Sequence, residues 1–113
     1  MQMSGIPFGT TDWSQLAPTE HKGERGSAYW RTQHFATVRV RMVEYSPGYV
    51  ADHWCVKGHI LLCMEGELHT ELEDGRKFTL KPGMSFKSQI TRNLTAPTLS
   101  EGQSFSSSIE RRA

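Results

Sequence analysis

The sequence predicts an all-β domain, an antiparallel sandwich or barrel, from three observations. Turn punctuation recurs at intervals of about 8 to 19 residues, at Ser46-Pro47-Gly48, Glu65-Gly66, Asp74-Gly75 and Lys81-Pro82-Gly83. Between these turns, apolar and polar residues alternate with the period of two that half-buried strands require. From Ala28 to Phe86, helical periodicity is almost absent.

In chain order, residues 1–27 lack periodicity. Ile6, Phe8, Trp13 and Leu16 suit an arm lying over the barrel and covering an edge strand. Residues 28–86 form the barrel core. There, Ala36, Val38, Val40 and Met42 alternate with Thr37, Arg39 and Arg41, which predicts that the first set is buried and the second wet. Leu68, Thr70 and Leu72 alternate with Glu67, His69, Glu71 and Glu73. Asp74-Gly75 then turns the chain, and Phe78 and Leu80 resume the buried face. Residues 87–113 break the pattern, with nine Ser/Thr and Phe105 as their one aromatic residue. This predicts an irregular tail. If any of it pairs, Phe86 to Leu94 is the best strand, with Phe86, Ser88 and Ile90 on one side.

Size and charge narrow the function classes. A chain of 113 residues with 36% hydrophobic content buries roughly 65% of its unfolded surface, enough for a core without disulfide staples. Thirteen Lys+Arg against 12 Asp+Glu leave a charge of +1 with no basic block, which disfavours nucleic acid or an anionic membrane as the main partner. The longest apolar run, Ile60 to Met64, is far short of the roughly 20 residues that cross a bilayer. No secretory signal is visible at the N-terminus, so a cytoplasmic protein is expected, with Cys55 and Cys63 as thiols.

The chemistry-bearing stretch is Asp52-His53-Trp54-Cys55-Val56-Lys57-Gly58-His59. His53, Cys55 and His59 stand at offsets of 0, 2 and 6, so one extended strand would put them on a common face. If Lys57-Gly58 bends the chain, His59 opens the next strand and can still face the other two. Imidazole and thiolate suit a divalent transition metal (zinc, iron, nickel or copper) rather than calcium or magnesium. The plainer reading is a buried structural cysteine with ordinary hydrogen-bonded histidines. Tyr49, Trp54 and Phe86, with Trp30, are candidate pocket walls, although core packing also explains such aromatics. His69 sits on a glutamate-rich face, and His21 and His34 have no ligand-spaced neighbour. Cys55 with a neighbouring histidine has no third orienting group to make it a catalytic nucleophile, and no catalytic residue is assigned. No glycine-rich phosphate loop is present.

Taken together, Pro47-Gly48, Asp52-His53-Trp54-Cys55, His59, Met64-Glu65-Gly66-Glu67-Leu68, Asp74-Gly75 and Leu80-Lys81-Pro82-Gly83 resemble the cupin superfamily. More closely, they resemble the small bacterial DHCW motif cupin fold proteins. Trp30-Arg31-Thr32, Arg39 through Gly48 and Gly83-Met84-Ser85 also fit, so the resemblance covers about residues 8–86. It implies a single jelly-roll-like cupin barrel holding a metal on His53, Cys55 and His59 beside a small-molecule pocket, with no assigned reaction. The alternatives are a non-catalytic ligand-binding or sensor cupin and a functionally impaired copy. Pairing of two copies through edge strands is also implied. Against the general cupin pattern, Cys55 replaces the second histidine, His59 stands where a glutamate would be, and no histidine follows Pro82-Gly83.

The resemblance also implies a different ending. After the aromatic at Phe86, relatives are expected to continue with a string such as Gln-Val-Ala-Asp-Asn-Ala-Glu-Pro-His-Arg-Ser. The genetic code permits that string when the codons of Phe86 to Thr98 are read from each third base. Residues 87–113 are therefore expected to be an out-of-frame tail, the alternative being natural divergence of a serine-rich terminus.

Overall fold

The computed structural model describes residues 4–55, 58–88, 91–94 and 104–111. A single 3-10 turn, Trp13–Gln15, precedes nine strands: β1 (Thr19–Lys22), β2 (Ser27–Phe35), β3 (Val38–Tyr45), β4 (His59–Glu65), β5 (Leu68–Leu72), β6 (Lys77–Leu80), β7 (Ser85–Ser88), β8 (Thr91–Leu94) and β9 (Ser104–Arg111). They make a six-stranded sheet in the order β1-β2-β3-β9-β4-β7 and a three-stranded sheet in the order β6-β5-β8. Every strand pair is antiparallel. Val43, Tyr45, Leu61 and Cys63 of the larger sheet meet Leu68 and Leu80 of the smaller one, with Ala28, Tyr49 and Ala51, in one core. The all-β class expected from the alternation is the one observed.

The punctuated turns form where the sequence places them, because glycine adopts the left-handed backbone without a Cβ penalty. Gly66 (φ 72°) reverses the chain between β4 and β5, and Gly75 (φ 92°) does so between β5 and β6. Asp74 supports the second turn by accepting from the Arg76 backbone N–H at 3.1 Å and from its Nε at 2.9 Å. The Arg76 backbone N–H, first among several contacts, holds the Asp74 carboxyl below its ordinary value.

The structure corrects several expectations. Ala36 lies not on a buried face but in the turn between β2 and β3, with a left-handed φ of 51°. In β3 Val38 is buried as expected, but beyond it the phase that reaches the core is the opposite of the expected one. Val43 and Tyr45 belong to the core, so the same alternation turns Arg39 and Arg41 inward and leaves Val40 and Met42 half-buried on the other face. Both phases of this strand carry apolar residues, so periodicity alone did not choose between them. Leu80 is buried as expected. Phe78, however, is half exposed because β6 is the edge of its sheet and has no neighbour on one side.

The arm covers the edge of β2 through β1 rather than through Ile6, Phe8, Trp13 and Leu16, and β1 thereby becomes the edge of the larger sheet among the described residues. Leu16 is tied down where its carbonyl accepts from Arg31 Nε at 3.0 Å, whereas Phe8 is 95% exposed. Beyond residue 87 the expected irregular tail contains strands. Phe86 to Leu94 is not one strand but two, β7 in the larger sheet and β8 in the smaller, and Ile90 lies outside the described residues. β9 inserts between β3 and β4, pairing with Val38 through Tyr45 on one side and with His59 through Glu65 on the other. The two neighbours' unpaired edges supply the hydrogen-bonding groups that make a strand of this serine-rich segment.

Candidate metal and ligand site

The stretch that carries the candidate ligands leaves the core at Ala51 and returns at β4. Cys55 is fixed by its backbone: its N–H donates to the Thr91 carbonyl at 2.8 Å, and its carbonyl accepts from the Thr91 N–H at 3.1 Å. His59 is the first residue of β4, so of the two geometries the sequence allows, the one in which His59 opens a new strand is formed. His59, Leu61 and Cys63 are the inward residues of β4, and Ile60, Leu62 and Met64 are exposed on its outer face.

This arrangement brings two of the three candidate ligands together. Cys55 Sγ lies 3.9 Å from His59 Nδ1. Two ligands of one tetrahedral zinc ion, at bond lengths of about 2.3 Å to sulfur and 2.0 Å to nitrogen, stand roughly 3.6 Å apart. The pair therefore comes within a few tenths of an ångström of sharing an ion. His53 is placed differently. Its side chain is 67% exposed, and its Nδ1 lies 2.5 Å from Asp52 Oδ1. That contact, ahead of the other influences on it, holds the Asp52 carboxyl below its ordinary value. With Nδ1 engaged by a carboxylate, Nε2 is the ring atom His53 presents to an ion, an orientation common among metal-bound histidines. Among the described residues, no three of the His, Cys, Asp and Glu side chains gather in ligating geometry.

Of the expected pocket walls, Phe86 stands at the pair, its ring edge-on to His59 with centroids 5.3 Å apart. Tyr49 is buried in the core against Tyr45, and burial pushes its hydroxyl well above the usual tyrosine range. Trp54 is not enclosed as a pocket wall would be. It is 37% exposed, with the Arg92 guanidinium 5.2 Å from its ring. Arg92 in turn pairs with Glu71 at 2.9 Å and Glu24 at 3.7 Å. Beside Cys55, Thr91 is 1% exposed, and its hydroxyl oxygen is buried with no hydrogen-bond partner among the described residues.

Around Trp30, a candidate wall, stand His21 and Arg41, two side chains that sequence reasoning passed over. Trp30 packs against the core, and the register sets His21 and Arg41 on its opposite diagonals. The His21 ring stacks on the indole at 3.5 Å, and the Arg41 guanidinium lies 3.7 Å from it. Burial first, then the charge of Arg41, holds the His21 imidazole below its ordinary value. Arg41 itself is lowered to about 10, again by burial first and by Arg39 next, while Cys55 acts in the opposite sense. The available signal was Val43 and Tyr45, two apolar residues continuing the phase of the two arginines. His69 and His34 lie apart from the site: His69 Nδ1 contacts Thr79 Oγ1 at 2.9 Å on the smaller sheet, and His34 is exposed.

Comparison with known proteins bears on the fold. No protein-family model matches the chain. No curated protein matches it by sequence. Solved structures do. A cupin-like protein from Thermotoga maritima is similar with a TM-score of 0.70 and 16% identity, over 91% of this chain and 83% of that one. The polyketide cyclase RemF from Streptomyces resistomycificus is similar with a TM-score of 0.76 and 13% identity, over 95% and 81%. The structure described as FeII HppE is similar with a TM-score of 0.69 and 12% identity, over 95% of this chain and 61% of that one. These likenesses establish that the chain has the cupin fold.

Proposed function

We propose that this chain is a small metal-binding cupin protein with a small-molecule pocket, and that Cys55 and His59 hold a divalent transition metal with His53 as a third ligand. The observation that carries the reading is the 3.9 Å approach of Cys55 Sγ to His59 Nδ1 in the interior of a cupin fold. The donors fit such an ion, since sulfur and imidazole nitrogen are soft to borderline ligands. The buried Thr91 hydroxyl beside Cys55 fits a site built to contain a further group. The FeII in the description of one similar structure supports a metal in this fold, though not its identity here. When bound, the ion would supply Lewis acidity. Cys55 and His59 hold the site in place through the Thr91 bridge and the Phe86 contact, and Asp52 orients His53.

The test is metal analysis of protein purified without a histidine tag, followed by cobalt titration read as a sulfur-to-metal charge-transfer band. About one metal per chain is expected. Cys55→Ser should abolish the band, and His59→Ala should weaken binding roughly 100-fold. Wild-type protein that carries no metal and develops no band with cobalt would overturn the reading.

A ligand-binding module without chemistry is the second reading, favoured by the exposed placement of His53, whose Nδ1 is engaged by Asp52. An impaired copy is the third, favoured by the composition of β9. In backbone register, Ser106 falls between Val43 and Cys63, and Ser108 falls between Arg41 and Leu61, rows otherwise set in the core or the site. The coding DNA decides this one. Codons of Phe86 to Thr98 whose shifted reading spells a His-Arg-Ser ending identify an out-of-frame tail, and any other third bases end the idea.

A further inference from the structure

The inward arginine of β3 is not accounted for by the metal reading. Arg41 shares the face of Val43 and Tyr45, so its side chain starts on the inward face of the sheet and is half-buried there. Its guanidinium is committed on one side only. Nε donates to Thr32 Oγ1 at 3.1 Å, and the flat face lies 3.7 Å from the Trp30 ring. Stacking on an indole leaves the in-plane donors of a guanidinium able to form the two parallel hydrogen bonds that match a carboxylate. Among the described residues Arg41 has no carboxylate ion-pair partner.

On the same face, backbone register places Glu110 between Arg39 and His59, so the nearest acidic position belongs to the row of Arg39 and not to that of Arg41. Arg39 lies on the same face two residues away, and its charge opposes that of Arg41. His21 stacks on the same indole. A cation drawn out of water is costly unless an anion joins it. Burial has already lowered the Arg41 guanidinium to about 10, the direction that such an uncompensated charge produces. The row of backbone register through Arg41 runs Thr32, Arg41, Ser108, Leu61, Phe86 and so contains no acidic residue. It ends at Phe86, the ring that abuts His59.

We propose that Arg41 is the anchor for a carboxylate, and that the ligand of this pocket is a small carboxylic acid whose apolar body lies toward Leu61 and Phe86. The proposal rests on the pocket part of the functional reading and not on the metal part. Arg41 supplies two charge-assisted hydrogen bonds, Trp30 keeps the guanidinium flat, and Thr32 fixes its orientation. Cys55 and His59 face the end of the ligand away from the carboxylate.

The experiment uses Trp13→Phe/Trp54→Phe protein, in which Trp30 is the remaining tryptophan and reports on its guanidinium neighbour. Benzoate and propionate are titrated in one arm and inorganic phosphate in another, each with metal-loaded and with chelator-treated protein. Saturable quenching by the carboxylates, and a 10- to 100-fold loss of affinity in Arg41→Met, are expected. Arg41→Lys keeps the charge but not the fork and should fall between the two. If Arg41→Met does not fold, transferred nuclear Overhauser effects from benzoate protons to the Trp30 indole of the wild type give the same information. Unchanged affinity in both variants, the absence of such effects, or saturation by phosphate but not by carboxylates would overturn the proposal. Carboxylate binding that persists in metal-free Cys55→Ser protein supports it even where the metal reading fails. Metal uptake without carboxylate binding overturns it alone.

Discussion

Truncation of the chain before Ser104 is expected to abolish cooperative folding. β9 lies inside the larger sheet, with eight register partners on β3 and six on β4. Its removal strips one edge from each neighbour and separates β1-β2-β3 from β4-β7. A backbone hydrogen bond contributes about 1 kcal/mol net, and on the order of ten are lost. That total is comparable with the whole stability of a typical domain, about 5–15 kcal/mol. The truncated chain should show no sigmoidal thermal transition by circular dichroism and should aggregate through its open edges. A transition kept within about 5 °C of the full chain would show that β9 is dispensable.

The second large effect is expected at Gly23. The turn from Gly23 to Gly26 docks on the segment leading to the site: Glu24 N–H donates to the Val50 carbonyl at 2.8 Å, and Val50 N–H donates to the Arg25 carbonyl at 2.9 Å. A Cβ on Gly23 would stand 2.2 Å from the Val50 carbonyl oxygen and 2.9 Å from both the Arg25 oxygen and Tyr49 Cε1. Two of those atoms are backbone, and the third belongs to a buried ring, so none can yield cheaply. Gly23→Ala should therefore cost about 3 kcal/mol and lower the thermal midpoint by roughly 12 °C. Because Val50 leads directly to Asp52 and His53, metal affinity should fall with it. Gly9→Ala is the control: its Cβ would meet nothing within 4 Å. It should stay within about 0.5 kcal/mol of wild type. A Gly23→Ala protein as stable as Gly9→Ala would refute the argument.

Much of the fold was legible because its signals are local. Pro47-Gly48, Gly66, Asp74-Gly75 and Pro82-Gly83 specify turns by backbone chemistry alone, and β5 reads as a strand from Leu68, Thr70 and Leu72. The phase of β3 was not legible, because the inward side of a strand is decided by the sheet opposite it. Val43 and Tyr45 outweigh Val40 and Met42 only once Leu68 and Leu80 are known to lie across from them. That error hid Arg41. The tail was illegible for a related reason: nothing in Ser104 to Arg111 announces a strand, and what makes it one is a slot bounded by residues 40 or more positions earlier. At the site, spacing singled out Cys55 and His59, which do meet, and equally His53, whose exposed position depends on the path of the chain around Asp52.

The second cysteine gives the protein a practical asymmetry. Cys63 is fully enclosed, its sulfur lies 3.7 Å from the carbonyl oxygens of Glu65 and Gly66, and burial pushes its thiol up. Maleimides and disulfide-exchange reagents need an accessible thiolate, so in the native protein they find Cys63 closed to them. A fluorophore can thus be attached at Cys55 without first engineering out the other sulfur, and the yield of that labelling becomes a direct gauge of how fully Cys55 is occupied.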